Sequence, residues 1–138
     1  MKLYMCHDLG PEFSEKYATF VLKRRNKKIR FKLSLNTSSD AETFIAVSQM
    51  GRRRLRDELE EENNAKLPIK LQIYHESSLL FNQNFQRMRN RNHRMILCPG
   101  DYSLVVEAEY VDLVTEICLR VAAKCRYQDI ILREGLRK

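Results

Sequence analysis

The residues best placed to do chemistry in this chain are cations, and the chemistry they offer is the holding of phosphate groups. Three blocks, 23–32, 52–56 and 87–94, contain 15 of its 25 lysines and arginines. The first block supplies Lys23, Arg24, Arg25, Lys27, Lys28, Arg30 and Lys32, and no acidic residue occurs between Lys16 and Ser39. The second supplies Arg52, Arg53 and Arg54, with Arg56 beside them, and the third Arg87, Arg89, Arg91 and Arg94. Arginine predominates in the second and third blocks, and its planar fork suits bidentate contact with phosphate oxygens. A set of such contacts releases counterions from a polyanion and gives affinity that falls with salt. Lys70 belongs to the same set by strand parity, and Tyr74 supplies an aromatic ring on which an unpaired base can stack.

Other chemistries find less support. The four glycines (Gly10, Gly51, Gly100 and Gly135) are too far apart for a phosphate-cradling loop or a dinucleotide-binding turn. Cys6 and His7 are adjacent, His93 lies five residues before Cys98, and Cys118 and Cys125 are seven apart. None of these spacings is a tight ligand pair for zinc, so no metal or other cofactor is expected. His75–Glu76 is an adjacent acid–base couple at a strand end, and it lacks a third group to orient it. The expectation is therefore a protein without catalytic activity. Four cysteines in no disulfide-rich spacing, and the absence of an export signal, predict free thiols in a reducing, intracellular setting, cytoplasmic or nuclear.

These residues must be positioned by secondary structure. From Lys28 onward cations alternate with apolar residues: Lys28, Arg30 and Lys32 face one way, and Ile29, Phe31, Leu33 and Leu35 the other. Period-two alternation marks a half-buried strand. The flanking Arg25-Asn26-Lys27 predicts a turn joining strands 17–24 and 28–36 as an antiparallel hairpin. Residues 68–75 alternate in the same manner, with Ile69, Leu71 and Ile73 inward, and so do residues 102–110, with Tyr102, Leu104, Val106 and Ala108 inward. A strand from Leu79 through Phe81 and Phe85 runs into the third arginine block, read as a hairpin tip closed by a return strand at 95–98. Met1–His7 is read as a short first strand.

Two segments read as helices. Residues 40–63 begin with a Ser39 or Asp40 cap and carry a break at Gly51. Residues 111–133 show Val114, Ile117, Cys118, Val121 and Cys125 at helical spacing, with Arg133 near the end and Gly135 beyond it. The resulting expectation is one basic α+β domain over residues 1–138. It is a two-layer sandwich: a curved, mainly antiparallel sheet of 5–7 strands with both helices on one face.

A net charge of +7 adds long-range attraction for anions. The reading is a non-enzymatic nucleic-acid-binding protein, RNA ahead of DNA, or a single strand. An acidic protein surface is the alternative partner. No apolar run approaches the ~20 residues of a membrane span. Oligomeric state, including a homodimer, is left open.

Overall fold

Strands make up nearly all of the structure, a computed structural model that describes residues 12–49, 67–87, 90–111 and 114–135. The described residues form nine strands: β1 (Ser14–Leu22), β2 (Lys28–Leu35), β3 (Ala41–Gln49), β4 (Pro68–His75), β5 (Ser78–Arg87), β6 (Asn90–Leu97), β7 (Gly100–Ala108), β8 (Thr115–Ala123) and β9 (Ile130–Glu134). One turn of 3₁₀ helix, Tyr127–Asp129, precedes β9, and the described residues contain no α-helix. The expected Met1–His7 strand, the Gly51 break, and Arg52, Arg53, Arg54 and Arg89 lie outside the described residues.

The strands make two antiparallel sheets, ordered β1-β8-β3-β6 and β5-β4-β7-β2-β9. Every connection between consecutive strands crosses from one sheet to the other, except the tight β4–β5 hairpin. This is jelly-roll connectivity, two interleaved Greek keys, with β9 added beside β2. The core lies between the sheets. Phe20, Leu22, Phe31, Leu33, Ile45, Leu71, Leu104, Ile117 and Leu119 are buried there, each worth about 1.5–3 kcal/mol of hydrophobic stabilisation. Opposite margins of the sandwich are tied separately. At one, the Lys16 amine sits 3.8 Å over the Tyr127 ring. At the other, His93 Nε2 donates to Gln83 Oε1 at 2.7 Å.

The α+β expectation with helices at 40–63 and 111–133 is overturned. The described part of the first segment is β3, and the second contains β8, the 3₁₀ turn and β9. The cause is burial on both faces. β3 and β8 are the two central strands of the four-stranded sheet. On its outer face Ala46, Arg120 and Ala122 are nearly as buried as the inward residues. Such strands carry apolar residues on both parities, and their pattern is indistinguishable from a buried helix over one or two turns. Arg120 is only 7% exposed. Its Nη1 lies 3.4 Å from Glu15 Oε1, and its Nη2 has no partner among the described residues.

The hairpin pairings are corrected as well. β1 pairs with β8, and β2 with β7 and β9. The turn predicted at Arg25-Asn26-Lys27 falls slightly earlier, at Arg24–Arg25, closed by a Lys23–Asn26 bridge with N···O distances of 3.1 and 2.9 Å. Beyond it the strands diverge into different sheets. β5 and β6 are likewise split between sheets, with Arg87 ending β5 and Asn90–Arg94 already within β6, so 87–94 is not a hairpin tip. Two register shifts along β5 also keep Leu79, Phe81 and Phe85 from following a simple alternation.

Gln49 at the end of β3 and Leu67 ahead of β4 are tied together. The Gln49 amide donates to Leu67 O at 2.8 Å and accepts from Leu67 N at 2.9 Å, both in the buried interior.

Candidate polyanion-binding face

The outward side of the five-stranded sheet is built from rows of cross-strand neighbours. Along β2, Lys28, Arg30 and Lys32 are exposed while Phe31, Leu33 and Leu35 are buried. The predicted alternation is therefore present in the structure. At about 3.4 Å per residue the three cations span roughly 13–14 Å. The β2–β7–β4 register then sets the rows: Lys28–Glu107–Lys70, Arg30–Val105–Gln72 and Lys32–Ser103–Tyr74. On the other flank, β9 places Arg133 directly opposite Lys32. Neighbouring strands are ~4.8 Å apart, which puts the Tyr74 backbone about 10 Å from that of Lys32.

Charge on this face is lopsided. Lys23, Arg24, Arg25 and Lys27, at the head of β2, are all exposed. None of these four, nor Lys28, Arg30, Lys32 or Arg133, is in an ion pair with a described residue. Lys70 differs. Its amine is 3.6 Å from Glu107 Oε1 and 4.9 Å from the centre of the Phe85 ring, so its charge is partly answered within the fold. Asp101, at the far end, accepts a 2.8 Å hydrogen bond from Ser34 Oγ. Beneath the cations, Val105 points outward yet is 4% exposed. It lies between Arg30 and Gln72 in the register, where long polar side chains can cover apolar surface with their stems. Tyr74 and Phe85 are half-buried aromatics on the same side.

The sequence-predicted set therefore divides. Lys23, Arg24, Arg25, Lys27, Lys28, Arg30, Lys32, Lys70 and Tyr74 come together on or beside one sheet face. Arg94 does not: it lies on the outer face of the other sheet, opposite Phe44, and pairs with Glu42. Arg87 and Arg91 are placed by backbone only. Arg87 is opposite Pro68 in one sheet and Arg91 opposite Val47 in the other, so they share no strand ladder. Arg133 was missed. In the sequence it reads as the favourable last-turn cation of a helix, and the five-residue β9 is too short to announce itself by alternation.

Other candidate chemistry is absorbed by packing. The His75 ring stacks on Tyr102 at 4.5 Å, and Glu76 sits in the β4–β5 turn with φ of 61°. Cys98, Cys118 and Cys125 are free thiols. Burial raises the pKa of Cys118 and Cys125 above the ordinary thiol value, which makes them poor nucleophiles at neutral pH. Among the described residues no three His, Cys, Asp or Glu side chains converge as a metal site. Among them, too, no helix is long and apolar enough to cross a membrane.

No protein-family model and no curated protein matches the sequence. Among solved structures the chain is similar to the pre-peptidase C-terminal domain of a collagenase from Bacillus anthracis. The TM-score is 0.54 at 14% identity, over 78% of this chain and 89% of that one. Fainter likenesses, both with a TM-score of 0.38, are to a family 35 carbohydrate-binding module from an environmental isolate and to the acidic stable capsid structure of Helicobacter pylori bacteriophage KHP30. The first is 14% identical over 80% of this chain and 72% of that one; the second is 11% identical over 89% and 99%. At 14% identity the likeness to the collagenase domain is one of fold, and it agrees with the two antiparallel sheets: the chain is a β-sandwich.

Proposed function

We propose that this chain is a non-enzymatic binding domain that holds single-stranded nucleic acid, RNA ahead of DNA, on the outward face of its five-stranded sheet. The observation that carries the reading is the Lys32–Arg133 pair. Like charges directly opposite on neighbouring strands destabilise a sheet by tenths of a kcal/mol, and no described acid pairs with either residue. A bound phosphate chain removes that repulsion. Lys28 and Arg30 extend the row, and the Arg24–Arg25 turn continues it. Tyr74 and Phe85 offer rings for unpaired bases, which favours a single strand over a duplex. Jelly rolls serve as capsid, lectin and enzyme scaffolds alike, so the fold permits this reading without choosing it. The free thiols support a reducing, intracellular setting.

The test is fluorescence anisotropy with a labelled uridine oligonucleotide at rising salt. Four phosphate contacts give a slope of log K against log salt near −2.8. Affinity then falls by about 50-fold between 50 and 200 mM salt. Replacing Lys28, Arg30 and Lys32 together by alanine should flatten the slope to about −0.7. An unchanged slope in that variant sinks the site. If polyglutamate competes as well as the oligonucleotide does, the face serves an acidic protein instead.

A further inference from the structure

The margin opposite β9 has no part in the cationic face, and it carries a different kind of surface. Among the described residues β6 pairs only with β3, and β5 only with β4. Each is therefore an edge strand, with no described strand along its other side. Proteins blunt such margins with prolines, bulges or charge. β5 is bulged twice, whereas β6 runs Asn-Arg-Asn-His-Arg-Met-Ile-Leu without a proline, and its ladder to β3 keeps one register throughout.

A cleft of about 390 Å³ opens between the two strands, with Leu80, Phe81, His93, Arg94, Met95 and Ile96 on its walls. Its inner wall is fixed, since the Phe81 and His93 rings lie 4.5 Å apart and His93 is tied to Gln83. Its mouth is apolar and open: Ile96 is 64% exposed and Leu80 51%. Two large aliphatic side chains flanking the edge of a sheet form the pattern of a docking site.

We propose that the free side of β6 receives an extended acidic segment of a partner protein. The segment adds a strand to the four-stranded sheet and seats an apolar side chain in the cleft beside Phe81 and Met95. Backbone hydrogen bonds supply the affinity and the alternate side chains the selectivity. The charge of the segment follows from its surroundings. Residues 77–100 contain four arginines and no acid, and Arg94 has a single acidic neighbour, Glu42 of β3. A second copy of this chain fits poorly, because pairing β6 with itself brings Arg91 and Arg94 of both copies onto one ladder with no acid from either strand. A nucleic acid has no peptide groups with which to complete the ladder.

The experiment uses the full chain and a labelled, end-blocked peptide of about nine alternating glutamates and valines, long enough to span the eight residues of β6. The expected result is saturable binding, with slowed hydrogen exchange at the β6 amides. The matching lysine–valine peptide should bind about tenfold more weakly at low salt. Ile96→Asp, at an exposed position, should weaken the acidic peptide about tenfold. Leu80→Asp, on the opposite wall, gives a second reading should Ile96→Asp disturb folding. The Lys28/Arg30/Lys32→Ala variant should bind the peptide as the unmodified chain does, which separates this site from the cationic face. No saturable binding, equal binding of both peptides, or loss of binding in the Lys28/Arg30/Lys32 variant with Ile96→Asp unaffected overturns the proposal.

Discussion

His93 of β6 and Gln83 of β5 join the margins of two different sheets through a 2.7 Å hydrogen bond. Its direction follows from the neighbouring bond. Gln83 Nε2 donates to Ile69 O at 3.4 Å, so Oε1 is the acceptor and His93 carries its proton on Nε2. The same imidazole packs on Phe81. His93→Ala is expected to destabilise the fold by about 1–3 kcal/mol, since it leaves the buried Gln83 amide without that partner. A double-mutant cycle with Gln83→Ala should give a coupling of roughly 1 kcal/mol in urea unfolding. Strict additivity would show that the bond holds nothing together.

Lys32 and Arg133 oppose stability and binding to one another. Lys32→Glu converts a like-charge cross-strand pair into an attractive one, and should raise unfolding free energy by roughly 0.2–1 kcal/mol. The same change should weaken the uridine oligonucleotide several-fold at low salt and reduce the salt slope by at least about 0.7. Urea midpoints and anisotropy on the same samples check both halves. A variant that gains stability and keeps full affinity removes Lys32 from the site.

The β4–β5 turn holds a glutamate where the backbone favours glycine. Glu76 has φ of 61° between the paired residues His75 and Ser78. A side chain in that region costs about 1 kcal/mol. Glu76→Gly should therefore stabilise the protein by a few tenths to about 1 kcal/mol, the gain being reduced by the greater freedom of glycine in the unfolded chain. Gly100 is the converse case. Its φ is +146°, and a Cβ there would lie 3.2 Å from His75 Nε2. Gly100→Ala should lower the thermal midpoint by several degrees.

Alkaline pH should loosen the fold. Burial holds the thiols of Cys118 and Cys125 above their ordinary 9.0. Burial, followed by hydrogen bonding to Cys98, holds the Tyr102 hydroxyl above its ordinary 10.0. The folded state therefore keeps protons that the unfolded chain releases, and stability falls as pH rises. The thiol contribution is intact below about pH 9 and is lost as pH climbs through the raised folded values. The tyrosine contribution follows above pH 10. Urea midpoints at pH 8, 9.5 and 11 should decline in that order. Tyr102→Phe should lose about 1 kcal/mol at neutral pH, because Tyr102 donates to Cys98 O at 2.6 Å. It should also show a smaller drop between pH 9.5 and 11. A midpoint that is flat to pH 11 contradicts the assignment.

What the residues determine by themselves is local and one-sided. In β2, β4 and β7 one face meets the core and the other solvent, so Leu33, Ile73 and Leu104 alternate with Lys32, Tyr74 and Ser103 and the strands can be read directly. The row Lys28–Arg30–Lys32 is legible for the same reason. β3 and β8 are not legible, because a strand covered on both sides loses the alternation that distinguishes it from a helix. Sheet partners are not legible either: β2 finds β7 some 70 residues away, and local pattern carries no record of such a choice. Only the tertiary structure sets Arg133 against Lys32, sends Arg87 and Arg91 to different sheets, and makes β6 an edge strand among the described residues. Those three outcomes depend on which strands meet, and that is decided by how the two apolar faces close over a common core.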